Sequence, residues 1–149
     1  MKNIHINNDD NYATPPEVYN ELNEKFNFDF DPCPYNDNEI VNCGLKIEWG
    51  KSNFVNPPYS QKLKEGFVKR GIEEMKKGKL CVFLIPVSTS TKLFHNYIQP
   101  NATKIIFLRG RIKFGKIDKD GNFYLPLNKK GKTQTDTKDS MVIVFDGRS

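Results

Sequence analysis

Residues 52–87 read SNFVNPPYSQKLKEGFVKRGIEEMKKGKLCVFLIPV, and this stretch decides the fold. Ser52 to Val55 predicts a strand, halted at Asn56-Pro57-Pro58 because proline fixes φ and donates no ladder hydrogen bond. Ser60 can cap a helix whose core face is Leu63, Phe67, Gly71 or Ile72, and Met75, with Gly78 closing it. Lys79 to Val87 is then a continuous apolar run, the pattern of a strand covered on both faces. Strand, helix and strand in this order point to an α/β sandwich.

Upstream, Thr14-Pro15-Pro16-Glu17 reads as a capping box with Thr14 as cap and Pro15 at the first helical position. Val18, Leu22 and Phe26 give the helix one apolar face, and Asn27 ends it. Phe28 to Phe30 predicts a short strand that stops at Pro32, followed by an irregular loop over 32–47. Downstream, Ser88 to Ser90 can cap a third helix carrying Leu93, Phe94, Tyr97 and Ile98, stopped by Pro100. Lys104 to Leu108 and Met141 to Phe145 read as buried strands. Between them, residues 115–139 are rich in Lys, Asp, Gly and Asn, with a hairpin turn at Asp120-Gly121. No repeat and no long linker divides the chain, so one domain over 1–149 with a largely parallel sheet is expected.

Composition narrows the class. The chain has 149 residues, 37% hydrophobic and 28% charged, which is globular rather than disordered. No apolar run approaches the roughly 20 residues that cross a bilayer, and the polar first residues show no secretory signal. Cys33, Cys43, Cys81, His5 and His95 have no metal-ligand spacing, so no metal site is expected, and an odd cysteine count suits a reducing cytoplasm. Charge is unevenly spread. Residues 1–50 carry three lysines against ten carboxylates, net −7, while residues 51–149 carry 20 basic residues against eight acids, net +12. A basic half suggests a polyanion partner, although a solvated lysine-rich surface gives the same count.

Asn56-Pro57-Pro58-Tyr59 is the sharpest chemical signal, and it stands at a strand's carboxyl end, where α/β sheets bind ligands. The prolines hold the turn stiff. The Asn56 side-chain carbonyl and the Pro57 backbone carbonyl are two acceptors that can meet one amino group, and Tyr59 offers a flat face. An exocyclic amine on a base is a poor nucleophile because its lone pair is delocalised. Accepting both its N–H bonds frees the lone pair and stabilises the charge that grows on nitrogen. Asn56 is neutral and a poor base, so the leaving proton goes through backbone or water. The bland alternative is a rigid turn with a packed tyrosine.

The chain resembles the phage-type (Dam family) DNA N-6-adenine methyltransferases. The likeness is carried by Tyr12-Ala13-Thr14-Pro15-Pro16, Phe28-Asp29-Phe30-Asp31-Pro32-Cys33-Pro34, Trp49-Gly50, Phe54-Val55-Asn56-Pro57-Pro58-Tyr59-Ser60, Leu84-Ile85-Pro86, and Arg109-Gly110-Arg111 with Phe114. It implies a small single-domain Rossmann-like fold with a mostly parallel sheet and S-adenosylmethionine as methyl donor. It places Asn56, Pro57, Pro58 and Tyr59 at the catalytic turn, and Tyr12, Thr14, Pro15, Asp29, Asp31, Cys33, Pro34 and Asn56 around the cofactor. A carboxylate such as Asp31 can pair with the donor's amino group, and helix N-terminal amides near Thr14 and Pro15 can meet its carboxylate. Many methyltransferases have a glycine-rich turn where this chain has Pro32-Cys33-Pro34. Glu48 or Asp37 could hold the ribose, and spacing does not choose between them.

DNA is the implied partner, with the target base flipped or unpaired. Arg109, Arg111, Lys113 and Lys116 follow a strand end and could grip phosphates, with Lys129, Lys130 and Lys132 extending the positive stretch or forming a solvated loop. Phe94 and His95 read as a core ring and a surface imidazole. Cytosine N4 or RNA adenine methylation needs the same acceptors, and a non-catalytic nucleic-acid module needs only the basic half. A chain of 149 residues leaves little room for a separate target-recognition domain, so any sequence preference must come from residues 115–139 or from a partner subunit, short-site specificity is expected, and a homodimer could span a duplex.

Overall fold

The computed structural model describes residues 3–5, 12–35, 40–42, 44–58, 60–127, 130–131 and 138–149. Along the chain these form β1 (Asn3–His5), α1 (Pro16–Phe26), β2 (Ile40–Asn42), a 3-10 turn (Gly44–Lys46), β3 (Ser52–Val55), α2 (Gln61–Lys76) and β4 (Leu80–Pro86). A π-helical turn (Phe94–Ile98) then runs into α3 (Gln99–Asn101), followed by β5 (Lys104–Phe107), β6 (Lys116–Ile117), β7 (Phe123–Tyr124) and β8 (Ser140–Asp146).

The main sheet has the order β3-β4-β8-β5. Only β3 and β4 pair parallel; β8 runs antiparallel to both β4 and β5. The expected mostly parallel sheet is therefore corrected to a mixed one. The reason is chain continuity. The excursion between Phe107 and Ser140 leaves and re-enters at one edge of the sheet, with no helix among its described residues, and a strand that returns from the edge it left must run antiparallel. β8 is apolar on both faces, so its pattern looks like that of a parallel strand. Since β8 opposes both neighbours, β3, β4 and β5 still point the same way. Their carboxyl ends share an edge with the start of β8, where the Val87 amide donates to Asp139 O (2.8 Å) and the Leu108 amide to Ser140 O (3.0 Å).

β4 and β8 are buried along almost their whole length. Alternate residues feed two cores. Val55, Cys81, Phe83, Ile85, Met141, Ile143 and Phe145 pack under α2 and the π turn. Phe54, Leu80, Val82, Leu84, Val142 and Val144 pack under the half-buried Val18, Tyr19, Leu22 and Phe26 of α1. Gly71 lets α2 approach this sheet closely, since a Cβ there would come within 2.5 Å of the Phe83 ring. Burial pushes the Cys81 thiol up to about 12, leaving it an inert core group.

Local boundaries differ from expectation where tertiary contacts intervene. α1 begins at Pro16, with Pro15 as the cap and no side-chain cap hydrogen bond, so the capping box does not form. Asn27 ends α1 in the left-handed region (φ 52°). The third helical segment is capped by Thr91, whose Oγ1 accepts the Phe94 amide (3.2 Å). Pro100 lies inside α3 rather than stopping it. β5 is half-exposed, because it is the sheet edge. Phe28 to Phe30 contributes a single parallel bridge, Phe30 to Asn53. Within the expected loop, β2 pairs antiparallel with β1. The hairpin at Asp120-Gly121 forms, with β6 and β7 as its arms.

A buried charge pins the loop before β3 to α2. Glu74 is 0% exposed; its Oε1 accepts from Arg70 Nε (2.8 Å) and Lys77 Nζ (3.2 Å), and its Oε2 lies 2.7 Å from Lys79 Nζ. The Arg70 guanidinium also donates to Leu45 O and to Ile47 O (2.6 Å), and Lys79 Nζ donates to Trp49 O (2.8 Å). Burial raises the Glu74 pKa, but the bonds from Lys79, Arg70 and Lys77 outweigh it and pull it to about 2. Glu74→Gln is expected to destabilise the fold by roughly 3–5 kcal/mol at pH 7, because it strands desolvated cations. The depressed value makes this contribution complete above the ordinary glutamate range and lost as pH falls towards 2, so the gap between variant and wild type in urea unfolding should narrow at pH 3.

Candidate active site

β3 sets the centre of the site. Val55 pairs with Phe83, and the chain leaves the sheet at Asn56 while β4 continues for three more residues. Asn56 is half-buried and Pro57 and Pro58 are buried, so the stiff corner is anchored in protein while the asparagine side chain stays accessible. Tyr59 lies outside the described residues, as do Asp37, Cys43, Lys129 and Lys132.

Beside Asn56 opens a cavity of about 220 Å³. Its lining comes from five parts of the chain: Tyr12, Ala13 and Thr14 before α1; Tyr19 within it; Asp31, Cys33 and Tyr35; Phe54 and Asn56; and Ile117 of β6. Two backbone bridges bring these together. Ala13 exchanges hydrogen bonds with Gly115 (2.8 and 3.1 Å), which docks the β6–β7 hairpin against the segment before α1. Gly115 has no room for a side chain, as a Cβ would sit 2.3 Å from Tyr124 O. On the other side, the Phe54 amide donates to Phe30 O (3.0 Å) and the Phe30 amide to Ser52 O (3.2 Å), which lays the 28–31 segment along β3.

Of the residues expected around a cofactor, Tyr12, Thr14, Asp31, Cys33 and Asn56 converge on this cavity. Pro15, Asp29 and Pro34 are not part of its lining. Pro15 caps α1, and the Asp29 carboxylate accepts the Ser52 amide (3.1 Å), so it serves the Phe30–β3 junction. Glu48 is exposed next to buried Trp49, Phe94 is buried and His95 is exposed. Arg109, Arg111 and Lys113 are exposed, alternating with half-buried Ile112 and leading into buried Phe114. Arg111 Nε lies 3.4 Å from Asp139 Oδ1, and the Lys116 ammonium stands 5.0 Å over the Tyr12 ring. None of these four cations lines the cavity, but the strip they form runs directly into Ile117, which does.

Sequence reading missed Ala13, Tyr19, Tyr35, Phe54 and Ile117. Tyr19 sits beside the apolar stripe of α1, and its ring meets Phe54 edge-on at 5.1 Å. An aromatic with a polar tip next to such a stripe was the available signal. Ile117 gave none, because only the Ala13–Gly115 bridge brings it to the site. Thr14 has a different role from the one its spacing suggested. It accepts Asn56 Nδ2 at 2.9 Å across 42 residues instead of capping α1. The Asn56 Oδ1 atom has no protein donor among the described residues, so it is available to a ligand's N–H.

Asp31 is the charged group of the cavity. Its Oδ1 accepts the Cys33 amide (2.8 Å), an Asx turn that holds the Pro32-Cys33-Pro34 corner. Burial pushes its pKa up to about 6, against a smaller downward pull from the Cys33 amide. A raised carboxyl pKa means ionisation opposes folding, so stability is lost as pH rises from the ordinary aspartate range through 6. Asp31→Asn keeps the Asx turn and removes that charge. It should therefore raise thermal stability at pH 8, by roughly 2–3 kcal/mol, and change it little at pH 4, as read by calorimetry at both values. A partly desolvated carboxylate facing a cavity suits a cationic ligand group.

Residues 2–148 match the family model described as DNA N-6-adenine-methyltransferase (Dam). A curated relative, the DNA N-6-adenine-methyltransferase of Escherichia phage T1, is 34% identical over 126 residues, covering 77% of this chain and 50% of the relative. The chain thus spans about half the length of that relative. No solved structure matches the chain. Among the described residues no helix is long and apolar enough to cross a membrane, and no cluster of metal-ligating side chains occurs.

Proposed function

The chain belongs to the DNA N-6-adenine-methyltransferase (Dam) family, and from that premise we propose that it methylates N6 of adenine in DNA with S-adenosylmethionine as donor. The observation that carries this reading is the juxtaposition of the Asn56 side-chain oxygen, unpaired among the described residues, with the cavity holding Asp31.

The cavity fits the donor's chemistry. Asp31, desolvated and facing the cavity, matches an α-ammonium. At the start of α1 an α-carboxylate would meet the Glu17 amide alone, because Pro16 has no N–H and the Val18 and Tyr19 amides donate to Pro15 O (3.1 Å each). The rings of Tyr12, Tyr19, Tyr35 and Phe54 give a flat base apolar surroundings. When bound, the group supplies an electrophilic methyl carbon on sulfonium. The chain's own task is to hold the amine. Asn56 Oδ1 and Pro57 O accept its two N–H bonds, which localises the nitrogen lone pair and stabilises the growing positive charge. Buried prolines make this corner preorganised, so little reorganisation is needed at the moment of reaction. Asn56 does not take up the proton, which leaves through water or backbone. Tyr59, next in the chain, is proposed as the stacking face for the flipped base.

Arg109, Arg111, Lys113 and Lys116 are proposed to hold phosphates on the approach to the cavity. Replacing both Arg109 and Arg111 by alanine should weaken DNA binding and flatten its log–log salt dependence by about 1–2 in slope, with S-adenosylhomocysteine affinity unchanged in calorimetry. A salt slope equal to wild type would remove both from the phosphate path.

Asn56→Ala tests the central claim. It should lower methyl transfer to DNA by at least about 100-fold, consistent with loss of a preorganised acceptor, while the melting temperature moves little. Digestion of the product to nucleosides should yield N6-methyladenine. N4-methylcytosine would replace the substrate, and wild-type rates in Asn56→Ala would replace the mechanism.

A further inference from the structure

We infer that Thr14 is a positioning residue, its hydroxyl fixing which way the Asn56 carboxamide faces. The inference rests on the reading of Asn56 as the amine acceptor. A carboxamide is nearly symmetric in shape, and its terminal torsion is broad and roughly two-fold. Its chemistry is not symmetric, because the oxygen accepts an amine N–H whereas the NH₂ presents only further donors to it. An asparagine in this role therefore needs a neighbour that breaks the symmetry.

Thr14 is placed to do so. Its Oγ1 accepts Asn56 Nδ2 at 2.9 Å, and both residues line the same cavity. With Nδ2 occupied, Oδ1 is the atom left for the substrate. Thr14 is itself held on both sides. Ala13, 3% exposed, is bridged to Gly115, and Pro15 is buried as the cap of α1. Because Pro15 and Pro16 start the helix without a side-chain cap, the Thr14 hydroxyl is not spent on the helix. An aspartate at position 56 would not need this partner, since its two oxygens are equivalent acceptors.

The test compares Thr14→Val, which keeps shape and loses the acceptor, with Thr14→Ser, which keeps the acceptor. In the full chain, Thr14→Val should lower kcat about tenfold, as expected for losing one hydrogen bond to a reacting group, with the Kd for S-adenosylhomocysteine within twofold of wild type. Thr14→Ser should recover kcat to within twofold. Independently of activity, the side-chain amide pair of Asn56 is read by ¹⁵N–¹H NMR and assigned by its loss in Asn56→Asp. Its protection from solvent exchange should fall at least fivefold in Thr14→Val and persist in Thr14→Ser. Unchanged protection in Thr14→Val would overturn the proposal, including the case in which the hydroxyl donates to Oδ1 instead. Equal loss of kcat in Val and Ser variants, or a matching loss of cofactor affinity, would also overturn it. Should the wild-type chain transfer no methyl group, the proposed function falls, and the exchange measurement still decides whether Thr14 fixes Asn56.

Discussion

The site depends on one constraint, the burial of β4 on both faces. Leu80 to Ile85 are at most 3% exposed, and the register of β3 against this strand decides where the polypeptide escapes the sheet. Val55 is the last paired residue, so Asn56 is the first side chain that can leave the core. Two buried prolines then prevent the strand from continuing and the corner from bending away. Burial of apolar surface sets where residue 56 leaves the sheet, and the Thr14 contact acts only on the carboxamide that this burial has delivered to the cavity.

Two acidic side chains show how the same chain treats burial differently in its frame and its site. Glu74 has no exposure but meets three cations, so its charge is offset and its pKa falls. Among the described residues Asp31 accepts only the Cys33 amide, so desolvation dominates and its pKa rises. The first arrangement holds the 44–50 segment to α2. The second keeps free energy in reserve that a cationic partner would release. The contrast is between a charge offset within the fold and one that the fold leaves largely without an opposing charge.

Much of this was legible along the chain. The apolar run of β4, the end of α1 at Asn27 and the Asp120-Gly121 hairpin all follow from local pattern, and the structure has each of them; the α2 face holds at Phe67, Gly71 and Ile72, while Val68 and Glu74 are buried beside it and Leu63 and Met75 are half-buried. The Asn-Pro-Pro corner was readable because proline acts on its own neighbours. Strand direction was not readable, since β8 carries the same two-sided apolar signal whichever way it runs. Nor was the role of Thr14, where local spacing favoured a helix cap and a partner 42 residues away took the hydroxyl instead.

The sequence by itself determined the α/β class, the stiff Asn-Pro-Pro corner and the basic strip, because these arise from side-chain chemistry and short-range sterics. Only the tertiary structure decided that the sheet is mixed, that the Ala13–Gly115 bridge closes the cavity with Ile117, and that Asp31 stands in it desolvated. Those outcomes rest on contacts between residues far apart in the chain, and local pattern does not encode which distant partner a backbone edge or a hydroxyl will find.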